Sequence, residues 1–255
     1  MSIAQHNKHL TLIALMLCLL WVCSAVTAHA LSFEDLTYMT EEYYPYNYTE
    51  RGEIKGISVD LLRMTWKELG VAPQPIDVLP WARAYEHVQN DPATILFSMA
   101  KTEGREDMFK WAGPIRVVRF VLVAKKSKQI TLATLDDLAG YSVGTLRDDI
   151  TDILLEKYKK IAKIDAVAEM KQNISKLMDD RLDIVAYEER SWHKIIAKKG
   201  LSPDDFETIF ILKETPVFFA FHIQTPPALI TQFQKALECS KTRDAYQQLL
   251  DKYLK

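Results

Sequence analysis

A strand followed by an arginine forms the segment with the clearest capacity to bind a ligand. An apolar run over residues 94–99 predicts a short strand, and a polar turn over residues 100–104 leads to Arg105. A guanidinium binds a carboxylate through two parallel hydrogen bonds and stays charged at any working pH. Because ligands of open α/β sheets bind at the carboxyl ends of strands, Arg105 is a candidate carboxylate anchor. The alternative is a surface ion pair with Glu103 or Glu106, a common and weak interaction.

An aromatic loop is the second candidate. It holds four tyrosines within six residues: Tyr43, Tyr44, Tyr46 and Tyr48. Exposed aromatic rings placed together usually stack on another group, which favours a ligand-binding surface. The alternative is that the rings pack against the edge of the sheet.

Glu188 is the third candidate, since it follows a predicted strand over residues 183–186 and so lies at another carboxyl strand end. The alternative is a surface ion pair with Arg190 or Lys194.

Alternating elements must position these residues. The pattern predicts strands over residues 36–39, 53–57, 75–79, 94–99, 115–124, 141–145, 164–167, 183–186, 210–212 and 217–222. It predicts helices over residues 59–69, 81–88, 135–138, 149–158, 170–179, 189–199, 228–240 and 243–253. Strands that alternate with helices indicate an α/β fold with mainly parallel sheets. Gly113-Pro114 is expected to end the segment after Arg105, and links are expected near residues 124–129 and 213–216.

The ends and the composition narrow the class of protein. Residues 1–30 have the pattern of a secretory signal, with Lys8 before an apolar run and a cleavage site near Ala30. An uncleaved anchor is the alternative, and lipidation at Cys23 is not expected because Trp21 and Val22 precede it. The formal net charge of −2 argues against a nucleic-acid partner. Cys239 is the one cysteine outside the signal and is expected to be a buried thiol.

Enzyme and metal signatures are missing from the sequence. It contains no phosphate-binding loop, no nucleophile elbow, no His-Glu-x-x-His and no Cys-x-x-Cys. Its histidines are scattered without metal-ligand spacing. We therefore expect a protein that is not an enzyme and has no cofactor and no metal.

Two motifs in sequence order carry a resemblance to a known family. The first is YYPYNYTERGEIKGISVDLL, with an aromatic-Pro-aromatic step, a glycine-flanked hairpin and an aspartate at a helix start. The second is FSMAKTEGREDMFKWAGPI. Together they resemble the bacterial extracytoplasmic solute-binding proteins of family 3, the polar amino-acid receptors of ABC importers.

The resemblance implies a two-lobed clamshell of the periplasmic-binding-protein type, in which each lobe is a mixed, mainly parallel sheet flanked by helices. Lobe 1 would comprise residues 31–123 and 216–255, and lobe 2 residues 124–215, with two crossings that form a hinge.

It also implies roles for individual residues. Arg105 matches the arginine that grips the ligand's α-carboxylate, and Ser98 a serine that assists it. Tyr43 matches the aromatic ring over the ligand, and Trp81 falls near a cavity-lining position, with a packing role as the alternative. Glu188 resembles the acidic residue that accepts the α-amino group.

One segment departs from the family pattern. Relatives carry hydroxyl residues after the strand at residues 141–145, whereas this chain has Leu146-Arg147-Asp148-Asp149. Aspartates there repel an anion, so either Arg105 holds the carboxylate alone, or Asp149 meets a positive group, or Arg147 replaces the hydroxyls. We include Asp149 among the ligand-binding candidates.

The function implied by the resemblance is capture of a small polar, amino-acid-like ligand in the periplasm by a monomer that docks on a membrane ABC permease. Two alternatives remain. One is an enzyme similar to cyclohexadienyl dehydratases, with Glu188 as general acid, and the other is a ligand-sensing input protein.

Overall fold

The computed structural model of the chain describes residues 31–242 and 244–254. The predicted signal peptide and its cleavage site lie outside these residues. Within the described ranges, no helix is both long enough and apolar enough to cross a membrane.

One mixed, mainly parallel sheet of eight strands organises the fold, in the order β4-β1-β5-β10-β6-β9-β7-β8. A separate hairpin is formed by β2 and β3. In chain order the strands are β1 Thr37–Thr40, β2 Tyr48–Glu50, β3 Glu53–Lys55, β4 Ile76–Val78, β5 Thr94–Ala100, β6 Phe109–Lys125, β7 Ser142–Leu146, β8 Lys163–Val167, β9 Ile184–Glu188 and β10 Phe206–His222.

Pairing in the sheet is parallel at both ends and antiparallel in the middle. β1 pairs in parallel with β4 and β5, and β7 with β8 and β9. β6 and β10 are antiparallel to each other, and β10 to β5 and β6 to β9. The α/β prediction is therefore confirmed.

Helices flank the sheet. They are α1 Ile57–Leu69, α2 Trp81–Asn90, α3 Ile150–Leu155, α4 Met170–Met178, α5 Glu189–Lys198, α6 Pro227–Lys241 and α7 Asp244–Leu254. Short 3₁₀ turns include Glu103–Met108, which carries Arg105, and Leu135–Leu138. These elements match the predicted ones with boundaries that differ mostly by one or two residues.

Two breaks predicted in the strands are wrong, one at Gly113-Pro114 and one at residues 213–216. The strands β6 and β10 each run unbroken for 17 residues. Gly113-Pro114 does not end a segment, since it falls where the β6–β10 register shifts between Val217 and Phe219. A bulge leaves ladder positions unpaired, so a proline without an N–H is tolerated there. Pro216 lies just beyond the last β5 pairing, Val217 with Ala100, where one side of β10 has no neighbouring strand.

Gly56 fixes the aromatic loop against the start of α1. Its φ of +127° lies in a region that side chains rarely adopt, and a Cβ there would lie 2.2 Å from the Tyr46 carbonyl oxygen. The Tyr253 hydroxyl accepts a hydrogen bond from the Gly56 N–H and donates one to the Asp60 carboxylate. The C-terminal helix α7 thereby holds the loop and α1 together.

The expectation that the Cys239 thiol is buried is wrong, because this residue is exposed. The buried face of α6 consists of Leu229, Phe233, Ala236, Leu237 and Ser240, at helical spacings of three and four. Cys239 lies off that face, and its thiol donates a hydrogen bond to the Glu68 carboxylate at 3.3 Å.

Candidate functional site

An enclosed cavity brings together side chains from four carboxyl strand ends. Four predicted ligand-binding residues line it: Tyr43, Trp81, Ser98 and Asp149. The remaining lining residues are Glu41, Ala100, Phe120 and Tyr187. The cavity volume open to a water-sized group is about 10 Å³, close to the minimum that holds one water molecule.

The sheet explains this convergence. Glu41 and Tyr43 follow β1, Ser98 and Ala100 lie at the end of β5, and Tyr187 lies at the end of β9. Asp149 follows β7 and is the N-cap of α3. Carboxyl ends of parallel strands meet at one edge of a sheet, which is where ligands of such sheets bind.

Ser98 is held in a strained backbone conformation. Its φ is +64°, in the left-handed region that residues other than glycine adopt at a cost of about 1–3 kcal/mol. Its hydroxyl lies 2.5 Å from Asn47 Oδ1, to which it donates, and 2.7 Å from Ser58 Oγ. The Ser98 hydroxyl is thus bound to neighbouring side chains.

Arg105 is buried, with 2% of its surface exposed. Its Nη2 donates to the Asp148 carbonyl at 2.7 Å and its Nη1 to the Ala100 carbonyl at 3.4 Å. The guanidinium lies against the rings of Trp81 and Tyr85, 5.3 and 4.8 Å from their centroids. The alternative of a surface ion pair is therefore wrong.

Arg105 does not line the cavity. Its Nε is buried and has no hydrogen-bond partner among the residues that the structure describes.

The Asp148 carbonyl receives a second donor. Trp81 Nε1 donates to it at 2.9 Å, so one oxygen accepts hydrogen bonds from Trp81 and Arg105. Asp148 has a φ of +59°, while its side chain is exposed. We call this three-residue arrangement the Asp148 carbonyl contact. Arg147 is exposed as well and does not line the cavity.

Glu188 is buried, with 1% of its surface exposed, and it caps α5. Its Oε2 accepts hydrogen bonds from the Ser191 N–H at 2.7 Å and the Ser191 hydroxyl at 2.8 Å. Its Oε1 accepts one from the Tyr46 hydroxyl at 3.2 Å. Burial raises the pKa of Glu188, and the Ser191 and Tyr46 hydrogen bonds oppose that rise. An exposed ion pair with Arg190 or Lys194 is excluded by this burial.

Three tyrosine rings connect Glu188 to the cavity. The ring centroids of Tyr43 and Tyr46 are 5.0 Å apart, and those of Tyr43 and Tyr187 are 6.1 Å apart. The Tyr43 and Tyr187 hydroxyls are buried, and neither has a hydrogen-bond partner in the described part of the chain. Burial raises the pKa of both phenols well above the ordinary value.

Glu41 and Asp149, the two carboxylates in the cavity wall, are half-buried. Burial raises the pKa of Glu41, the Asp149 charge adds to that rise and the Arg105 charge opposes it. Burial also raises the pKa of Asp149, while the Arg105 charge and hydrogen bonds from Ile150 and Thr151 oppose that rise. Two carboxyls therefore share a confined space with only one nearby guanidinium.

Sequence reasoning missed two polar members of this cavity. Glu41 directly follows β1, so the rule on carboxyl strand ends could have identified it. Tyr187 precedes Glu188 by one residue and could have been found on the same ground.

A larger groove adjoins the cavity. It has a volume of about 570 Å³ and shares Glu41 and Trp81 with the cavity wall. Its apolar wall includes Leu79, Met170 and Ile195. Clefts of roughly 300–1,000 Å³ are typical of small-molecule sites.

Metal ligation has no support among residues 31–242 and 244–254, where no group of three or more His, Cys, Asp or Glu side chains has the required geometry.

Comparisons with known proteins identify the family. The model of the bacterial extracellular solute-binding proteins, family 3, matches residues 36–255. A search of curated proteins found no match.

Several solved structures share the fold. A P235GK mutant of ArgBP from T. maritima has a TM-score of 0.75 and 20% identity, over 86% of this chain and 95% of that chain. A histidine kinase sensor domain with similarity to periplasmic binding proteins has a TM-score of 0.77 and 18% identity, over 88% of this chain and 98% of that chain. The substrate-binding protein AbpA from Streptococcus pneumoniae, bound to L-arginine, has a TM-score of 0.73 and 18% identity, over 86% of this chain and 94% of that chain. At these identities the likeness concerns the fold.

Proposed function

The chain belongs to the bacterial extracellular solute-binding proteins of family 3, and on that premise we propose that it captures a small polar, amino-acid-like solute between two lobes for delivery to an ABC importer. The protein would act as a periplasmic monomer after removal of residues 1–30. Lobe 1 would comprise residues 31–123 and 216–255, and lobe 2 residues 124–215.

The observation that carries this proposal is the composition of the enclosed cavity. Tyr43, Trp81 and Ser98 belong to the proposed lobe 1, whereas Asp149 and Tyr187 belong to the proposed lobe 2. A solute in this cavity touches both lobes only when they are closed together. It therefore stabilises the closed arrangement by its extra affinity for that state.

Direct hydrogen bonds also join the proposed lobes. The Asp148 carbonyl contact joins Arg105 and Trp81 to the segment after β7, and the Tyr46 hydroxyl donates to Glu188. Each such hydrogen bond contributes roughly 0.5–1.5 kcal/mol, and more where a charged group takes part. They support a closed arrangement that the solute would stabilise further.

The hydrogen bonds of Glu188 distinguish the binding function from the enzyme alternative. As a general acid in a dehydratase-like reaction it would need a carboxyl oxygen free to reach the substrate. Both oxygens accept hydrogen bonds from protein donors, which favours a binding role. A sensing role would share the binding step and differ in its protein partner.

A ligand screen tests the proposal. Thermal unfolding of the purified protein is followed with amino acids, amines and neutral sugars. A ligand at a hundred times its dissociation constant stabilises the folded state by about 2.7 kcal/mol. In a chain of this size that corresponds to a shift in Tm of about 5–11 °C. Stabilisation by none of these compounds, or chemical turnover of one, would refute the binding function.

Delivery to a permease is tested separately. The ligand-loaded protein should stimulate ATP hydrolysis by its cognate importer reconstituted in vesicles.

A further inference from the structure

We infer that the solute recognised by the enclosed cavity is a primary alkylammonium ion that carries no carboxylate. The inference rests on the proposed binding function and specifies its ligand. The ammonium group would lie among Glu41, Asp149, Tyr43 and Tyr187, with the alkyl chain directed toward the adjoining groove.

Charge is the first argument. Glu41 and Asp149 line the cavity, whereas none of the described residues that line it is a lysine, arginine or histidine. Both residues are half-buried, and the Asp149 carboxylate accepts a hydrogen bond from the Thr151 hydroxyl at 3.2 Å. Partly buried carboxylates are still costly to keep charged without an oppositely charged partner. A cation placed between them would supply that partner, because an opposite charge at short range favours the ionised carboxylate.

Two unpartnered phenolic hydroxyls support the inference independently of the charge. Tyr43 and Tyr187 are 4% and 2% exposed, and both line the cavity. Their hydroxyls have no hydrogen-bond partner among the described residues. An ammonium group has three donors, and a phenolic oxygen can accept one of them. Trp81 and Phe120 complete the lining, and aromatic rings attract a cation placed over their faces.

Size distinguishes a primary ammonium from larger cations. The space of about 10 Å³ admits one water-sized group. A primary ammonium is of that size, whereas a quaternary ammonium is several times larger. The adjoining groove of about 570 Å³ shares Glu41 and Trp81 with the cavity and can take the rest of the molecule.

The cavity offers few donors for a ligand's carboxylate. The guanidinium of Arg105 is bound to the Asp148 carbonyl and covered by two rings, and it does not line the cavity. The Ser98 hydroxyl is bound to Asn47 and Ser58, and Ala100 offers no side-chain donor. A carboxylate here would face Glu41 and Asp149, and like charges at short range repel.

Matched pairs of solutes test the inference. Isothermal titration calorimetry at pH 7.5 compares putrescine with L-ornithine and cadaverine with L-lysine, since each pair differs only by the carboxylate. We expect each diamine to bind at least tenfold more tightly than its amino acid, and tetramethylammonium not to bind. The inference is overturned if either amino acid binds as tightly as its diamine, or if no diamine binds.

The ligand screen distinguishes failure of the alkylammonium inference from failure of the proposed binding function. If amino acids or other polar solutes bind and diamines do not, the solute-binding function stands and the cation inference falls. If no solute binds, both fall.

Variants locate the ammonium group. Glu41→Gln and Asp149→Asn each remove one charge at nearly constant shape, and each should weaken putrescine binding at least tenfold. The unliganded variants should keep or raise their Tm, because a desolvated charge is gone. Glu53→Gln and Asp77→Asn are matched controls on exposed strand positions and should bind like the parent protein.

Tyr43→Phe provides a second, independent variant. It removes a hydroxyl that has no partner in the described residues, so the fold should persist while putrescine binding weakens severalfold. Unchanged affinity in Glu41→Gln, Asp149→Asn and Tyr43→Phe would place the ammonium elsewhere and overturn the inference.

Discussion

Replacement of Tyr46 by phenylalanine measures the contact between the aromatic loop and Glu188. The change removes one hydroxyl, which donates to Glu188 Oε1 at 3.2 Å in a buried setting. Hydrogen bonds to charged groups contribute about 1.5–3 kcal/mol. Because 3.2 Å is long for an O–H···O bond, we expect a loss near the lower limit, about 1.5 kcal/mol. In a chain of this size the loss lowers Tm by about 3–6 °C.

Tyr43→Phe is the matched control. The two tyrosines are both buried, and their ring centroids are 5.0 Å apart. The Tyr43 hydroxyl has no partner in the described chain, so its removal should leave the free energy of unfolding unchanged or raise it by about 1 kcal/mol, since an unsatisfied buried group is lost.

Urea unfolding of ligand-free protein, followed by tryptophan fluorescence, gives both values. The hydrogen-bond assignment would be refuted if Tyr43→Phe cost as much as Tyr46→Phe, or if Tyr46→Phe cost less than about 0.5 kcal/mol, below the lower range of a buried hydrogen bond.

Three further predictions follow from other parts of the chain. Gly56→Ala should destabilise the protein by more than about 2 kcal/mol, because a Cβ there would overlap the Tyr46 carbonyl at a positive φ, whereas Gly104→Ala has open space and should be near neutral in urea unfolding. Burial raises the pKa of Glu41 above its ordinary 4.5, so its contribution to stability is full below pH 4.5 and is lost as the pH rises through the raised value. Melting curves of ligand-free protein across this range should show that Glu41→Gln removes this dependence. The exposed Cys239 thiol should react with a thiol reagent in the native protein, and the rapid phase should be absent in Cys239→Ser.

Local sequence signals were enough to predict the alternation of strands and helices. Helix α5 illustrates this, since residues 189–199 were expected and Glu189–Lys198 is observed. The length of β6 and β10 was not predictable by the same means. Gly113-Pro114 and Pro216 are local signals for a break, and only the register shift and the end of β5 show why they are tolerated.

Some residues of the candidate site could be predicted from local sequence, whereas contacts between distant segments could not. Residues at carboxyl strand ends could be recognised from the chain, and Tyr43, Trp81, Ser98 and Asp149 do line one cavity. The surroundings of Arg105 could not be recognised, because its main partner is a carbonyl oxygen 43 positions later in the chain. Backbone atoms are common to all residues, so no residue type marks such a partner.

The Asp148 carbonyl contact has a consequence for how the protein tolerates mutation. Since the acceptor is a main-chain oxygen, a change of side chain at position 148 cannot remove it. Residues that accept a φ near +59°, such as asparagine or glycine, would preserve the contact. Evolution can therefore alter the exposed chemistry at position 148 within the residues that accept this φ, while the two donors of the contact, Trp81 and Arg105, are fixed by their side chains.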